Sequence, residues 1–249
     1  NEDSSKESLN FLNKSISFLV FLPEMERLFQ ASPSYRRNFI DRLIFSARKD
    51  YNTLINKYKK YLIERIKILK EDNFDNHWLN EIEKNISIIG LEIYETRYKQ
   101  LQLLNNNIRS LDSLGKFRFS IDLKFKDSFF NKGLDFDNYL SSLRDSRYFD
   151  KLNGGTKIGP HRSDIIAVIN NEFEASLLST GQQKTVVLMI LLAQCHNLIN
   201  NNYINPILLF DEIGSHLDSF NRKILLDMIN GFNIQFFLTG TEKNIFSFI

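Results

Sequence analysis

The feature that most constrains the fold is a stretch from residue 34 to 110 in which apolar residues recur at steps of three and four. That spacing places them on one face of a helix. The pattern runs to about Lys70 as one long helix or two collinear helices, stops at the polar residues 71–76, and resumes in a second long helix. We therefore predict an antiparallel helical hairpin with arms of about 45 Å, since each helical residue adds about 1.5 Å.

The segments on both sides of the hairpin have the patterns of an α/β protein. Residues 15–23 are typical of a buried strand, 117–125 alternate as a half-buried strand does, and 164–178 predict two strands joined by a turn at Asn170–Asn171. Helices are predicted at 137–152 and 182–199. A final strand-helix-strand unit at 206–210, 219–229 and 234–238 implies parallel neighbouring strands. We expect residues 1–33 and 111–249 to form one lobe and 34–110 an inserted helical lobe.

Composition excludes several classes of protein. Thirty-two Lys and Arg stand against 30 Asp and Glu, so a nucleic-acid surface would have to come from local patches. Cys195 lies in an apolar run and is expected to be buried, and the four histidines lack metal-ligand spacing. The absence of disulfides favours the reducing cytoplasm. No apolar run approaches the roughly 20 residues that cross a bilayer, so no membrane partner is expected. The chain begins at Asn1 and not Met, and we interpret it as a fragment.

The strongest chemical signal is a pair of carboxylates, Asp211 and Glu212, directly after the apolar residues Ile207 to Phe210. Ligands of open α/β sheets commonly bind at the carboxyl ends of parallel strands. An aspartate there can hold Mg²⁺ through its water shell, and the next carboxylate can orient or deprotonate the water that attacks a γ-phosphate. The pattern has the form of a Walker B motif. An ordinary strand followed by an acidic helix cap is the alternative.

A second motif, Leu178-Ser179-Thr180-Gly181-Gln182, stands before a predicted helix. It has the form of an ABC signature, in which a serine hydroxyl, a glycine amide and the helix amino terminus face phosphate. Ser179 as a simple helix cap is the alternative. The Walker B pair lies about 30 residues downstream and is followed by Ser215 to Asp218. This order and spacing favour a nucleotide site, with ATP and Mg²⁺ as its ligands.

These motifs occur with two others, and together they resemble the RecF family. Pro23–Glu24 followed by Ser32–Asp41 is similar to that family's PE…SPSxRRxFLD stretch, with Ala31 where glycine is usual. Gly159–Asp164 is similar to GPHRxD, Ser179–Thr185 to SxGQQ(R/K)T, and Leu208–Asp218 to LLLDDxxSELD. The resemblance spans about residues 9 to 243, with the motifs in the family's order.

The resemblance implies an ABC/SMC-like ATPase fold and an ATP-dependent homodimer. It implies that Asp211 holds Mg²⁺, that Glu212 is catalytic, and that the nucleotide is faced by Ser179, Gly181, Gln182 and Asp218. The partners it implies are gapped DNA or a single-strand/double-strand junction, together with RecO and RecR, and the role is to assist RecA loading. Asp211 is expected to act within its own subunit, and the signature on the nucleotide of the partner.

The chain departs from the family's pattern at two places. It contains no G-x-x-x-x-G-K-S/T, the Walker A loop that cradles the β- and γ-phosphates and that lies ahead of all these motifs in the family. We therefore expect little ATP hydrolysis by this chain. Where SMC-like relatives have a switch histidine, the chain has Gly240, followed by Thr241. A nucleotide-independent DNA- or partner-binding remnant is the alternative function.

Basic residues of the hairpin are the candidates for DNA contacts. Phosphate contacts, which give affinity without reading the sequence, could come from Arg36, Arg37, Lys57, Lys59, Lys60, Arg65 and Lys67. A solvated helix face explains the same charges. His161 and Arg162 could support the signature loop, approach nucleotide, or make ordinary turn hydrogen bonds. A long SMC-like tether would need heptads beyond those that residues 34 to 109 provide.

Overall fold

The computed structural model describes residues 16–71, 75–112, 119–133, 135–202, 204–212, 227, 230–232 and 234–240. Six helices lie in these ranges: α1 Pro33–Ala47, α2 Tyr51–Lys70, α3 Asn76–Asp112, α4 Phe136–Asp145, α5 Arg147–Asn153 and α6 Thr180–Asn202. The six strands are β1 Phe18–Phe21, β2 Ile121–Lys126, β3 Asp164–Ile169, β4 Phe173–Glu174, β5 Ile207–Phe210 and β6 Phe236–Leu238.

One sheet is parallel and places β5 between β1 and β6. Phe18 pairs with Ile207 and Phe21 with Phe210, so β1 and β5 end at the same edge. On the other side Leu208 pairs with Phe236 and Phe210 with Leu238. Because all three strands run the same way, whatever follows β5 lies at the carboxyl edge of the sheet, flanked by the residues that follow β1 and β6. The predicted helix at 219–229 falls almost entirely outside the described residues.

The second sheet is antiparallel, in the order β2-β3-β4. Asn170 and Asn171 have φ angles of 51° and 60°, which fits the left-handed two-residue turn that such a pair favours. The prediction that the second strand continues to residue 178 is wrong, because the strand ends at Glu174 and Ala175–Leu177 form a 3₁₀ helix. Ala175 is fully buried there, and this turn leads the chain into the start of α6.

The helical lobe consists of α2 and α3, which pack along each other as an antiparallel pair, and α1 precedes them. The first predicted arm is interrupted at residues 48–50, so α1 and α2 are separate helices. α1 packs on both β3 and α6, and it therefore joins the helical lobe to the sheets. A buried arginine, Arg65, fixes the lobe by contacting Glu83 at 2.9 Å and Asp150 at 2.7 Å, with all three side chains fully buried.

The core of the sheet-bearing lobe is α6, whose residues Val186 to Cys195 are buried on every face. Cys195 is fully buried, as predicted, and burial raises the pKa of its thiol to about 12. A helix that is buried on all sides needs apolar residues all around it, and this explains why the sequence of α6 has no polar face over this stretch. Among the described residues, no helix is both long enough and apolar enough to span a bilayer.

Candidate functional site

Asp211 and Glu212 lie at the carboxyl edge of the parallel sheet, directly after its middle described strand. The backbone of Asp211 is fixed by an N–H donated to the carbonyl of Phe21, 3.0 Å away. Thr239, which follows β6, donates its hydroxyl to the Asp211 carboxylate and accepts the Glu212 N–H at 3.0 Å. Both carboxylate residues are exposed. One threonine hydroxyl therefore holds the two residues together at the open edge of the sheet.

Glu212 has an unusual backbone, with a φ of 51°. A residue with a side chain adopts this left-handed conformation at a cost of about 1–3 kcal/mol, and it persists only where neighbours enforce it. One such neighbour is Lys184 of α6, whose Nζ lies 3.4 Å from the Glu212 carbonyl oxygen. The turn after β5 is thus held from two sides, by Thr239 and by Lys184.

Lys184 is itself fully buried and forms an ion pair of 2.6 Å with Glu26. Glu26 belongs to the 3₁₀ helix Pro23–Arg27 that follows β1. The Nζ also lies 5.4 Å from the centre of the Phe21 ring, within the range of a cation–π contact. Lys184 therefore connects the helix that follows the signature to the turn that carries Asp211 and Glu212.

The signature residues lie at the start of α6. Ser179 and Gln182 cap it reciprocally, because the Ser179 N–H donates to Gln182 Oε1 at 3.0 Å and the Gln182 N–H points to Ser179 Oγ at 3.4 Å. Both residues are exposed and Gly181 is half-buried. The cap and a phosphate-facing role are compatible, since the amino terminus of a helix is both a place for caps and an anion site. Asp218, the fourth nucleotide-facing prediction, lies outside the described residues.

Of the seven predicted DNA contacts, five have accessible side chains, whereas Arg36 and Arg65 are buried. Lys57 and Lys60 are exposed on α2, and Arg37 is half-buried on α1. Arg36 is different, since it is buried against both carboxylate oxygens of Asp164 at 2.8 Å and also donates to the carbonyls of Phe29 and Ala31. Arg36 therefore joins α1 to β3.

His161 and Arg162 lie in the loop before β3; His161 contacts the helical lobe, and Arg162 donates to the Thr156 carbonyl at 3.1 Å. His161 Nδ1 is 3.0 Å from the Tyr58 hydroxyl and Nε2 is 2.8 Å from the Thr156 carbonyl, which fits a neutral ring that donates from Nε2. Burial, together with nearby arginines, lowers the pKa of His161 to about 4. Gly159 has a φ of 121°, and a Cβ there would overlap the hydroxyls of Tyr58 and Tyr139. The loop is therefore fixed in shape.

Three residues of the site were not predicted from the sequence: Lys184, Glu26 and Thr239. Lys184 falls within the Ser179–Thr185 motif, which is the signal that could have drawn attention to it. Glu26 and Thr239 carry no local signal, because they are 158 and 28 residues away from the groups they contact. Gly240 is exposed beside Thr239, and Thr241 lies outside the described residues.

The donor set at the sheet edge suits magnesium and no softer metal. Exposed carboxylate oxygens are what Mg²⁺ prefers, and it commonly uses one or two of them together with phosphate oxygens and water. Within the described ranges no cluster of three or more His, Cys, Asp or Glu side chains occurs, so these residues do not form a metal cage of their own. Asp211 and Glu212 thus fit an ion that arrives with a nucleotide.

Comparison with known proteins agrees with this geometry. No protein-family model matches the chain. The protein named DNA replication and repair protein RecF from Rickettsia typhi is 36% identical over 243 residues, which cover 96% of this chain and 68% of that protein. The protein of the same name from Rickettsia prowazekii is 35% identical over the same shares.

The fold matches solved structures as well. The structure described as the recombination mediator protein RecF-ATPrS in the RecFOR pathway has a TM-score of 0.77 and 23% identity, covering 92% of this chain and 63% of that one. A second, described as RecF-ATP, has a TM-score of 0.76. The predicted fold class, an ABC-ATPase-like α/β lobe with a helical hairpin, is confirmed. From the sequence identity and its coverage we conclude that the chain belongs to the RecF family of DNA replication and repair proteins.

Proposed function

We propose that this chain forms the signature- and Walker B-bearing part of a RecF-type DNA repair ATPase. The observation that carries the proposal is the placement of Asp211 and Glu212 at the carboxyl edge of a parallel sheet, held there by Thr239 and Lys184. Such an edge is where nucleotides bind in this class of sheet. The names of the relatives, which refer to DNA replication and repair, support the same role.

In this proposal the two carboxylates have separate roles. Asp211 holds Mg²⁺ through water, because its carboxylate is exposed and oriented by Thr239. Glu212 orients or deprotonates the water that attacks the γ-phosphate. When bound, Mg²⁺ would neutralise the negative charge that develops on the phosphates. Thr239 is a positioning residue for both carboxylates.

The signature acts on the nucleotide of a second subunit in an ATP-dependent homodimer. Ser179 and Gln182 are exposed at the amino terminus of α6, where the partial positive charge of the helix adds to their hydrogen-bonding groups. Gly181 lets the backbone approach phosphate closely. Asp218 is assigned to nucleotide binding by the resemblance of its motif. Because Ser179 and Asp211 serve different nucleotides, substitutions of the two residues should have different effects.

The substrate in this proposal is gapped DNA or a single-strand/double-strand junction, bound with RecO and RecR in the cytoplasm so that RecA is loaded. Arg37, Lys57 and Lys60 contribute phosphate contacts from the helical lobe, since their side chains are accessible. Arg36 is not included, because its guanidinium group already contacts Asp164 and two backbone carbonyls.

The test compares Ser179→Arg with Asp211→Asn in a protein that also supplies the Walker A loop. Ser179→Arg should leave ATP binding to the monomer within about twofold and abolish ATP-driven dimers, since a bulky cation replaces a short hydroxyl that faces the partner's phosphate. Asp211→Asn should weaken the magnesium-dependent part of monomer binding instead. Light scattering measures the dimer and isothermal titration measures the binding.

Ser110→Arg, at an exposed position on α3, is the control for adding the same cation elsewhere. Equal loss of monomer binding in the Ser179 and Asp211 variants would show that Ser179 acts within its own subunit. DNA binding that is equally tight with and without ATP and Mg²⁺ would favour the nucleotide-independent remnant.

A further inference from the structure

A cleft between α1 and α2 lies outside the nucleotide site and has an unbalanced charge. It consists of two adjoining cavities of about 210 and 260 Å³, which share Asn38, Asp41, Ile55 and Lys59. We call it the α1–α2 cleft. The loop that contains Pro160 and His161 borders the first cavity, and Arg42 borders the second.

The carboxylates in and beside this cleft are already neutralised. Asp41 receives two hydrogen bonds of 2.8 Å from Arg97, and the Tyr51 hydroxyl donates to it at 2.9 Å. Asp164, the nearest acidic residue of β3, is paired with Arg36. Both carboxylates also favour the charge of Arg37, but each is already paired with another arginine.

Three cations of the cleft have no carboxylate partner among the described residues: Arg37, Arg42 and Lys59. Among the described residues Arg37 makes one hydrogen bond, from Nη1 to the Ser163 carbonyl at 2.6 Å, which fixes the guanidinium group. Burial first, and then the charge of Arg97, lower the pKa of Arg37. An anion bound in the cleft would relieve this repulsion.

Neutral hydrogen-bond donors also line the α1–α2 cleft. Ser34 and Asn38 border the cavity beside Arg37, and both are exposed. Ser34 stands in the first turn of α1, which is capped by Ser32. Arginine, lysine, hydroxyl and amide groups at a helix start are the set that proteins use for phosphate oxygens.

We propose that the α1–α2 cleft binds the phosphodiester backbone of a nucleic acid, with Arg37, Lys59 and Arg42 as the phosphate contacts. The cations without a described carboxylate partner are distributed over both cavities, which suits a chain of phosphates better than one free phosphate ion. The inference rests on the proposed DNA-binding function and adds a site for it. Membership of a DNA replication and repair family selects nucleic acid over an acidic peptide.

The test measures binding to a gapped DNA duplex by fluorescence anisotropy over a series of salt concentrations, with ATP and Mg²⁺ present and in a protein that also supplies the Walker A loop. Lys59→Gln should weaken binding about three- to tenfold and reduce the slope of log affinity against log salt by about 0.9, which is the value for one phosphate contact. Arg37→Gln should have a similar or larger effect. Lys59→Gln is the easier variant to interpret, because Lys59 is exposed and makes no hydrogen bond or ion pair with a described residue.

Lys99→Gln is the matched control, since Lys99 is an exposed helical lysine on α3 that pairs with the neighbouring exposed Glu95. If the unsubstituted chain binds DNA but Lys59→Gln and Arg37→Gln behave as Lys99→Gln does, the cleft is not the site and the proposed function stands. If the unsubstituted protein, with the Walker A loop, ATP and Mg²⁺ supplied, binds no DNA at any salt concentration, the proposed function fails, and the inference fails with it.

Two competitors distinguish the class of ligand. Inorganic phosphate should displace DNA only at concentrations far above those of DNA phosphate, because one phosphate ion occupies only one of the two cavities. Polyglutamate should compete poorly. Polyglutamate that competes as well as unlabelled DNA, and loses this ability in Lys59→Gln, would identify an acidic-peptide site and overturn the proposal.

Discussion

At the scale of single residues, Lys184 shows how one buried charge organises the candidate site. It pairs with Glu26 at 2.6 Å while its side chain is fully buried, and it also reaches the Glu212 carbonyl. Removing one partner of a buried ion pair leaves the other charge buried and uncompensated, at a cost of about 3–5 kcal/mol. We expect Lys184→Met to lower the free energy of unfolding by about that amount in urea denaturation.

The control for this residue is Lys126→Met. Lys126 pairs with Glu174 at 2.8 Å, but both side chains are exposed, and solvent-screened pairs of this kind contribute little to stability. The double variant Lys184→Met/Glu26→Leu should recover part of the lost stability, because no buried charge remains. A loss in Lys184→Met no larger than that in Lys126→Met would contradict a stabilising role for the buried pair.

At the scale of elements, Gly90 of α3 allows Tyr139 of α4 to pack closely against the helix. Ala in place of Gly usually stabilises a helix interior by about 1 kcal/mol. A Cβ on Gly90, however, would lie 2.6 Å from the ring of Tyr139, which is fully buried on α4 and hydrogen-bonded to Tyr58 at 2.9 Å. We therefore expect Gly90→Ala to destabilise the protein by about 1–3 kcal/mol, measured by thermal unfolding.

Asn106→Ala is the control on the same helix, because Asn106 is exposed. It should raise the free energy of unfolding by a few tenths of a kcal/mol through helix propensity alone, roughly as helix scales indicate. A gain in stability for Gly90→Ala would mean that Tyr139 moves aside easily, and that α3 and α4 do not pack as closely as the structure shows.

At the scale of the whole molecule, the two lobes are joined through α6. A buried hydrogen bond of 2.7 Å links Gln100 of α3 to Gln194 of α6, and Gln194 also donates to the Leu43 carbonyl of α1. Separating the lobes would leave these amides buried without partners, which is unfavourable. We expect the described parts of both lobes to unfold in one cooperative transition.

The chain carries one native probe in each lobe. Trp78, its only tryptophan, is half-exposed at the start of α3, and Cys195, its only cysteine, is fully buried in α6. In urea, Trp78 fluorescence and the reactivity of the Cys195 thiol should give the same midpoint. A circular dichroism melt of the same samples is the control for loss of helix. A Trp78 transition at clearly lower urea would show that the hairpin unfolds by itself.

The periodicity of the sequence was enough to predict most elements, because apolar spacing determines which face of a helix or strand is buried. The hairpin helices, β5 with its two carboxylates, and the burial of Cys195 were predicted this way and are present in the structure. Where local patterns failed, a tertiary contact was the reason. β4 is shorter than predicted because the chain turns at Ala175, which packs into the core.

The sequence by itself determined the order of helices and strands and the position of the acidic pair, since these depend on residues that are close along the chain. Only the tertiary structure decided that Thr239 holds Asp211 and Glu212, that Lys184 pairs with Glu26, and that Arg37 and Lys59 share a cleft while Arg36 is buried. These contacts join residues 22 to 158 positions apart, and a local pattern of hydrophobicity carries no information about which distant polar side chains will meet.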